Sequence, residues 1–424
     1  MKVLISKSGI SGRVRAPSSK SYTIRGLMCA ALAKGESEIV YPLTADDTVA
    51  AGRVLVKIGV EIDKSAYVWR VRGGNIQRPF GELFCGDSAA TLRFMAAIVS
   101  VVPGKVRLTA GASLSQRPVG PLIEALRQLG VQCSADGGLS PVTVNGGTLK
   151  GGIAELRGDI SSQFISALLL AAPLAKEMVK IKLTTPLESR PYVLMTLECL
   201  NKFGIGVRTS EDFQEYEVTP QKYRPAKYTV EGDWSAASYP LALGAVAGDV
   251  TVANLNVNSL QGDKIILDFL QRMGAAVTVK ENAVTVKQAK LQAIRADLTD
   301  CIDLLPTLAV LAALAEGTSE LSGIGRARLK ESDRVTAMVA GLTGMGVTVK
   351  ETNNTMIITG SPLLGAVIDT KNDHRIAMAF SILGIVAGNT VINGAESVGK
   401  TYPEFWRMLK SIGGKVRIDG KQSG

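Results

Sequence analysis

A segment that reads as a helix, ends in glycine and runs on into a strand recurs six times along the chain: "LVKIGVEI", "LRQLGVQC", "LNKFGIGV", "LQRMGAAVTV", "LTGMGVTV" and "LKSIGGKVRI". The glycines are Gly59, Gly130, Gly204, Gly274, Gly346 and Gly413, separated by 71, 74, 70, 72 and 67 residues. A fixed period of this size means that one supersecondary unit is copied, and each copy can bury its apolar face only against the others. Glycine at the end of each helix fits a left-handed closing position. The helix before Gly130 is amphipathic: Leu122, Ile123, Leu126 and Leu129 share one face, and Glu124, Arg127 and Gln128 point away.

A second series runs in step with the first: "SYTIRGLMCAALAKG", "AATLRFMAAIVSVVPG", "SSQFISALLLAAPLAK", "WSAASYPLALGAVAG", "IDLLPTLAVLAALAEG" and "DHRIAMAFSILGIVAG". These helices are apolar nearly all round, so they belong inside. Each is followed by a β-rich segment such as "KVRLTAG" or "DVTVANL". The expected architecture is α/β, with six units of two helices plus several short strands. Three units per domain make two domains, each with helices inside and strands around them. The N-terminal "MKVLISKSGISGRVR" reads as a strand, with no apolar signal core.

Composition narrows the partners. The chain of 424 residues carries a net charge of +10, but its cations arrive singly within motifs and aromatics are only 5%. That pattern favours small anions over nucleic acid, which needs stacking platforms and basic runs. Five scattered cysteines, Cys29, Cys85, Cys133, Cys199 and Cys301, have no CxxC spacing. Free thiols in a reducing, cytoplasmic compartment are expected. One histidine and no cysteine pair give no basis for a metal site. The apolar run from Ile376 to Gly388 is too short for a bilayer. No GxGxxG motif follows the first strand, so no nucleotide cofactor is expected. No GxSxG elbow appears, and a lone His374 does not make a hydrolytic triad.

The buried helices begin with polar sets: "PSSKSYTIR", "GDSAATLR", "GDISSQF", "GDWSAASY", "TDCIDLLP" and "NDHRIAMA". Helix capping accounts for the Ser, Thr and Asp residues. It does not account for Lys20, Arg25, Arg93 or Arg375, because a cation at a helix start opposes the dipole unless an anion lies between. Helix starts with free N–H groups suit anions. Further cations sit in "SLSQRPVGPL", where Arg117 precedes a proline expected to start a helix, and in "RARLKESDRV" and "SVGKTYPEF". Taken singly, each of these is a solvated charged loop; together they exceed what one phosphate needs.

These motifs resemble those of 5-enolpyruvylshikimate-3-phosphate synthase, in ten stretches in the family's order along nearly the whole chain: "PSSKSYTIRGL", "GDSAATLRF", "SQRPVGPL", "GDISSQFISALL", "SRPYVLMTL", "VEGDWSAASYPLA", "IDLLPTLAVLAA", "LKESDRV", "NDHRIAMAFS" and "GKTYPEFW". The resemblance implies a two-domain inverted α/β barrel. Its first domain is discontinuous, 1–18 plus 231–424, and the second is 19–230, with the active site between them. It implies transfer of the enolpyruvyl group of phosphoenolpyruvate to the 5-hydroxyl of shikimate 3-phosphate with release of phosphate, in aromatic amino acid biosynthesis. No cofactor, metal, nucleic acid or membrane is implied, and a monomer is the expectation.

Residue by residue, the resemblance implies that Lys20, Ala89, Arg117, Gln163, Arg334, Arg375 and Lys400 hold phosphoenolpyruvate. It implies that Lys20, Ser21, Arg25, Ser161, Ser162, Gln163, Ser189, Tyr192, Asp303, Arg326 and Lys330 hold shikimate 3-phosphate. Addition followed by elimination needs proton transfer at the acceptor hydroxyl and at C3 of phosphoenolpyruvate. Asp303 is the candidate for the hydroxyl and Glu331 for C3. Lys20 and Lys400 are candidates to stabilise departing phosphate, and His374 is a site-wall residue. For Asp303 the alternative is a helix cap.

Two positions depart from the family pattern. Ala89 stands where many members have glycine, and its methyl should narrow the pocket used by the herbicide glyphosate, giving weak inhibition. Arg326 stands where some members have asparagine. The sister enzyme acting on UDP-N-acetylglucosamine usually carries a reactive cysteine in the loop matching "SLSQRPVG", and none is present here. An RNA-end-processing enzyme of related repeat architecture would need His374 as a nucleophile together with ATP.

Overall fold

All six repeat glycines take left-handed backbone angles, from φ +80° at Gly204 to +102° at Gly413. A side chain there would strain the backbone, which is why glycine closes each of these helices. The computed structural model describes residues 1–419 and places an α-helix before every one of them.

The described residues form twelve α-helices: α1 (Lys20–Leu32), α2 (Asp46–Lys57), α3 (Ala89–Ile98), α4 (Gly120–Gln128), α5 (Ser162–Ala171), α6 (Arg190–Lys202), α7 (Trp234–Ala247), α8 (Ile266–Arg272), α9 (Leu305–Leu314), α10 (Arg334–Gly344), α11 (His374–Ala387) and α12 (Phe405–Ser411). The odd-numbered series is the apolar one. In α7 and α11 all but the last two residues are buried. The even-numbered series is amphipathic. In α4, Leu122, Ile123, Ala125 and Leu126 are buried, while Glu124, Arg127 and Gln128 face out. Pro121 lies in the first turn of α4; Pro118, expected to start that helix, lies before it because the helix opens only at Gly120.

Six four-stranded sheets complete the repeats. In each, an edge strand runs parallel to its neighbour and two more strands continue antiparallel. One sheet joins Leu83–Phe84, Gly104–Thr109, Leu139–Gly146 and Gln132–Asp136 in that order. Alternation buries one face: Val106 and Leu108 point inward in Gly104–Thr109, as Val250 and Val252 do in Gly248–Ala253. Apolar helices inside one-faced sheets make the inverted α/β arrangement.

The chain divides into two compact units, Ser18–Glu231 and Met1–Pro17 with the chain from Gly232 onward. Each has its own core. Leu27, Met95 and Leu168 belong to the first and Leu243, Leu308 and Met378 to the second. The N-terminal segment is two strands and not one. Lys2–Ser6 pairs with Thr390–Asn393 and Lys415–Asp419, while Ile10–Arg15 joins a different sheet beside Gly248–Ala253. Ser8 and Gly9 break the run, and turn residues of this kind end a strand even inside an alternating pattern.

Candidate active site

In the unit that holds both chain ends, one arginine organises the chemistry. Arg334 opens α10 behind Asp333, whose carboxylate caps the helix by accepting from the Thr336 N–H. The Arg334 side chain is 1% exposed and binds three carboxylates: Nη1 donates to Asp303 Oδ1 at 2.7 Å, Nη2 to Glu331 Oε2 at 2.7 Å and Nε to Asp373 Oδ2 at 2.8 Å. A planar guanidinium fixes the relative directions of its partners, so the two expected proton-transfer groups, Asp303 and Glu331, are locked to one frame.

Asp303 is shared further. Arg375 Nη2 lies 3.2 Å from its Oδ2 and Lys330 Nζ 3.4 Å from its Oδ1. It sits in a short 3₁₀ turn, Ile302–Leu304, for which Cys301 is the flanking cap, so it is not the helix cap that was its alternative reading. Burial pushes the Asp303 carboxyl up, but Arg375, Lys330 and Arg334 outweigh it and hold the group well below the usual carboxylate range. Lys330 is pushed down to about 8, chiefly by burial and partly offset by Asp303.

Asp373 caps α11 by accepting from the Arg375 N–H at 2.9 Å, and it also takes the Ser332 hydroxyl at 3.1 Å. The anions that reconcile Arg334 and Arg375 with their helix starts are therefore carboxylates of the protein itself. His374 Nδ1 is 3.7 Å from Asp373 Oδ1, both side chains being buried. Lys400 ends a 3₁₀ turn, Ala395–Lys400, and is buried. Arg326 donates through Nη2 to Thr299 O at 2.6 Å. Arg328, from the same basic motif, turns away to Asp333 and Glu351.

Two groups in this cluster escaped the sequence reading. Tyr239, on α7, has its hydroxyl pushed up to about 12 by burial, moderated by Arg375. Asp263 is 3% exposed and accepts the Ser235 hydroxyl. Burial, then the neighbouring charge of Asp303, raise it to about 7. Nothing in "SLQGDK" distinguishes Asp263 from a surface turn residue.

In the other unit, the candidates gather at the starts of α1, α3 and α5. Ser19 caps α1, and Lys20, its first residue, pairs with Asp47 of α2 at 3.0 Å. Arg25 is 2% exposed. It donates to Thr196 Oγ1 at 2.8 Å, Tyr192 O at 3.0 Å and Ser21 O at 3.1 Å, and lies over the Phe94 and Tyr192 rings. Ser161 caps α5, and Ser162 and Gln163 form its first turn. Ser189 precedes α6 in a left-handed conformation, φ +54°. A serine held there costs about 1 kcal/mol or more, and such strain gathers at functional sites. Ala89 opens α3 and is buried; Arg117 is 7% exposed. Burial of Arg117, Arg334 and Lys400 removes the solvated-loop reading for all three.

Comparisons with known proteins place the chain in a family. The family profile described as EPSP synthase (3-phosphoshikimate 1-carboxyvinyltransferase) matches residues 5–409. A 3-phosphoshikimate 1-carboxyvinyltransferase of Dehalococcoides mccartyi is 50% identical over 421 residues, covering 99% of this chain and 100% of its own. One from Methanocaldococcus jannaschii is 40% identical, covering 96% and 97%. The solved EPSP synthase of Acinetobacter baumannii superposes with a TM-score of 0.82 at 27% identity, covering 98% of this chain and 100% of its own. Among the described residues no helix is long and apolar enough to cross a membrane.

Proposed function

Since the chain belongs to the EPSP synthase family, we propose that its two sets of buried cations and carboxylates serve the family's reaction: enolpyruvyl transfer from phosphoenolpyruvate to the 5-hydroxyl of shikimate 3-phosphate. The chain is an enzyme of this transfer, and its substrates are two small polyanions. In this reading Lys20, Ala89, Arg117, Gln163, Arg334, Arg375 and Lys400 border phosphoenolpyruvate. Lys20, Ser21, Arg25, Ser161, Ser162, Gln163, Ser189, Tyr192, Asp303, Arg326 and Lys330 border shikimate 3-phosphate. The observation that carries it is Arg334 holding Asp303 and Glu331 at 2.7 Å each.

The attacking 5-hydroxyl gives up its proton toward Asp303 as its oxygen bonds to C2 of phosphoenolpyruvate, and C3 takes a proton from Glu331. The tetrahedral adduct then returns a C3 proton to Glu331 as the C2–O bond to phosphate breaks, and the departing phosphate takes up the proton left on Asp303. Lys20 and Lys400 face the charge that develops on that phosphate, where a pre-placed cation needs no reorganisation. His374 borders the site through Asp373.

Asp303, held well below the usual carboxylate range, is a weak base in the free protein. Substrate anions compete with it for Arg334, Arg375 and Lys330, so binding both substrates raises its basicity when the proton must move. Phosphate release from phosphoenolpyruvate with shikimate 3-phosphate as acceptor tests the reading. Turnover is expected with that acceptor and not with UDP-N-acetylglucosamine, and Asp303→Ala and Glu331→Ala should each lower it by about 10²-fold or more. Wild-type turnover in both variants would refute it.

A further inference from the structure

Arg93 has no part in the scheme above, yet it is built into the same strip. It projects from the second turn of α3, is 3% exposed and lies 4.8 Å from the Phe164 ring centre. Its Nη1 donates to Gln163 Oε1 at 2.8 Å and to Ser161 Oγ at 3.1 Å. Its Nη2 donates to Pro118 O at 2.7 Å, one residue past Arg117.

An arginine carries only donors, so every atom facing it must accept. That decides the orientation of the Gln163 carboxamide: its oxygen faces Arg93 and its Nε2 hydrogens point elsewhere. Among the described residues no acceptor takes those hydrogens. Ser161 is constrained in the same way. A hydroxyl oxygen has two lone pairs and one proton. The Arg93 Nη1–H and the Gln163 backbone N–H, at 3.4 Å, both come to that oxygen. With its lone pairs engaged, the hydroxyl can only donate.

We propose that Arg93 is a positioning residue that sets the hydrogen-bond polarity at the start of α5, turning Ser161 and Gln163 into donors aimed at substrate oxyanions. The proposal rests on the reading that these two residues touch substrate. Without Arg93 the carboxamide can rotate to present its oxygen, and Ser161 can present a lone pair; both repel phosphate and carboxylate. Through Pro118 the same guanidinium ties the Arg117 segment to this strip, so the holders of both substrates keep one register. The chemistry selected is an acceptor-rich anion of the phosphate or carboxylate class.

The test is a mutant cycle read in kcat/KM for shikimate 3-phosphate, with melting temperature recorded for each protein. Arg93→Met keeps the length and the contact with Phe164 but removes all donors. Alone it should lower kcat/KM by about 100-fold, with a raised KM, as for a misplaced substrate-holding group. In a Ser161→Ala, Gln163→Ala background it should add less than about threefold, because the groups it orients are gone. An undiminished loss in that background overturns the proposal and leaves the site reading standing. If Ser161→Ala and Gln163→Ala themselves leave KM unchanged, both fall. Arg93→Lys, which keeps the buried cation, covers the case in which Arg93→Met does not fold. A lysine holds one acceptor at a time, so a reduced but measurable coupling to Gln163 is expected, and zero coupling overturns the proposal.

Discussion

Replacing Asp303 by alanine removes one carboxylate from three cations at once: Arg334 at 2.7 Å, Arg375 at 3.2 Å and Lys330 at 3.4 Å. Arg334 keeps Glu331 and Asp373. Arg375, which is buried, and Lys330, which is half-buried, lose their shared anion. Stripping one partner from a buried ion cluster costs about 3–5 kcal/mol, because water does not fully replace the lost carboxylate. Lys330 relaxes part of this. It already lies at about 8, Asp303 being the influence that raises it, so in the variant it falls further and sheds its proton at lower pH. A depressed lysine penalises the folded state while it must stay charged, and the penalty lifts as pH climbs through its folded pKa. The deficit of Asp303→Ala against wild type should therefore be largest near pH 6 and narrow toward about 8. Anions provide a second signature. Phosphoenolpyruvate at about 100 times its dissociation constant contributes about 2.7 kcal/mol by mass action, and an anion that replaces the missing carboxylate stabilises the variant more than wild type. Urea unfolding at a series of pH values, with and without phosphoenolpyruvate, reads both effects, and phosphate release reads the chemistry. A variant as stable as wild type at pH 6, or retaining more than about a tenth of the activity, would refute the reasoning.

Three further outcomes follow from named contacts. Asp263 is raised to about 7 in the folded chain, so it binds a proton that the unfolded chain has already lost. Its contribution is full below the ordinary carboxylate range and disappears as pH rises to about 7; Asp263→Asn should remove that decline from the urea-derived stability profile by a few kcal/mol. Ala89 is buried at the start of α3, and its methyl occupies space that glycine would leave open. Wild-type protein should bind glyphosate weakly, and Ala89→Gly should tighten competitive inhibition against phosphoenolpyruvate by about 10-fold or more, the worth of one methyl group in a fitted pocket. At Gly341, in α10, an added Cβ would lie 2.1 Å from Phe380 Cζ. Gly341→Ala should destabilise the chain by about 1–3 kcal/mol, visible as a lower urea midpoint, because that ring is fully buried and must shift.

Much of the fold is written in local pattern. The glycines at positions 59 to 413 end helices because a left-handed residue is needed there, and the all-round apolarity of segments such as "IDLLPTLAVLAA" leaves them nowhere to go but inside. The break at Ser8–Gly9 was hidden because each strand is too short for the slip in phase, from Val3 and Ile5 to Ile10 and Val14, to stand out. The site was half legible. Arg375 and Asp303 stand out as charges at helix starts and Arg334 as one cation of a charged loop motif, but their pairing is not local: Arg334 meets Asp303 and Asp373 at sequence separations of 31 and 39. Asp263 and Tyr239 were silent because an isolated carboxyl or phenol becomes informative only once burial and a charged neighbour are known. Arg93 could be flagged, as a cation opposing its own helix dipole, but only coordinates reveal that it turns Ser161 and Gln163.

The sheet that joins Lys2–Ser6 to Thr390–Asn393 and Lys415–Asp419 has a consequence for synthesis. The stretch Ser18–Glu231 is continuous and closes its own sheets, so it can fold while the remainder is still on the ribosome. Lys2–Ser6 is made well before both of its neighbours, because they come after the whole of Ser18–Glu231. During that interval it is an unpaired strand whose backbone N–H and C=O groups are open to pairing with another chain.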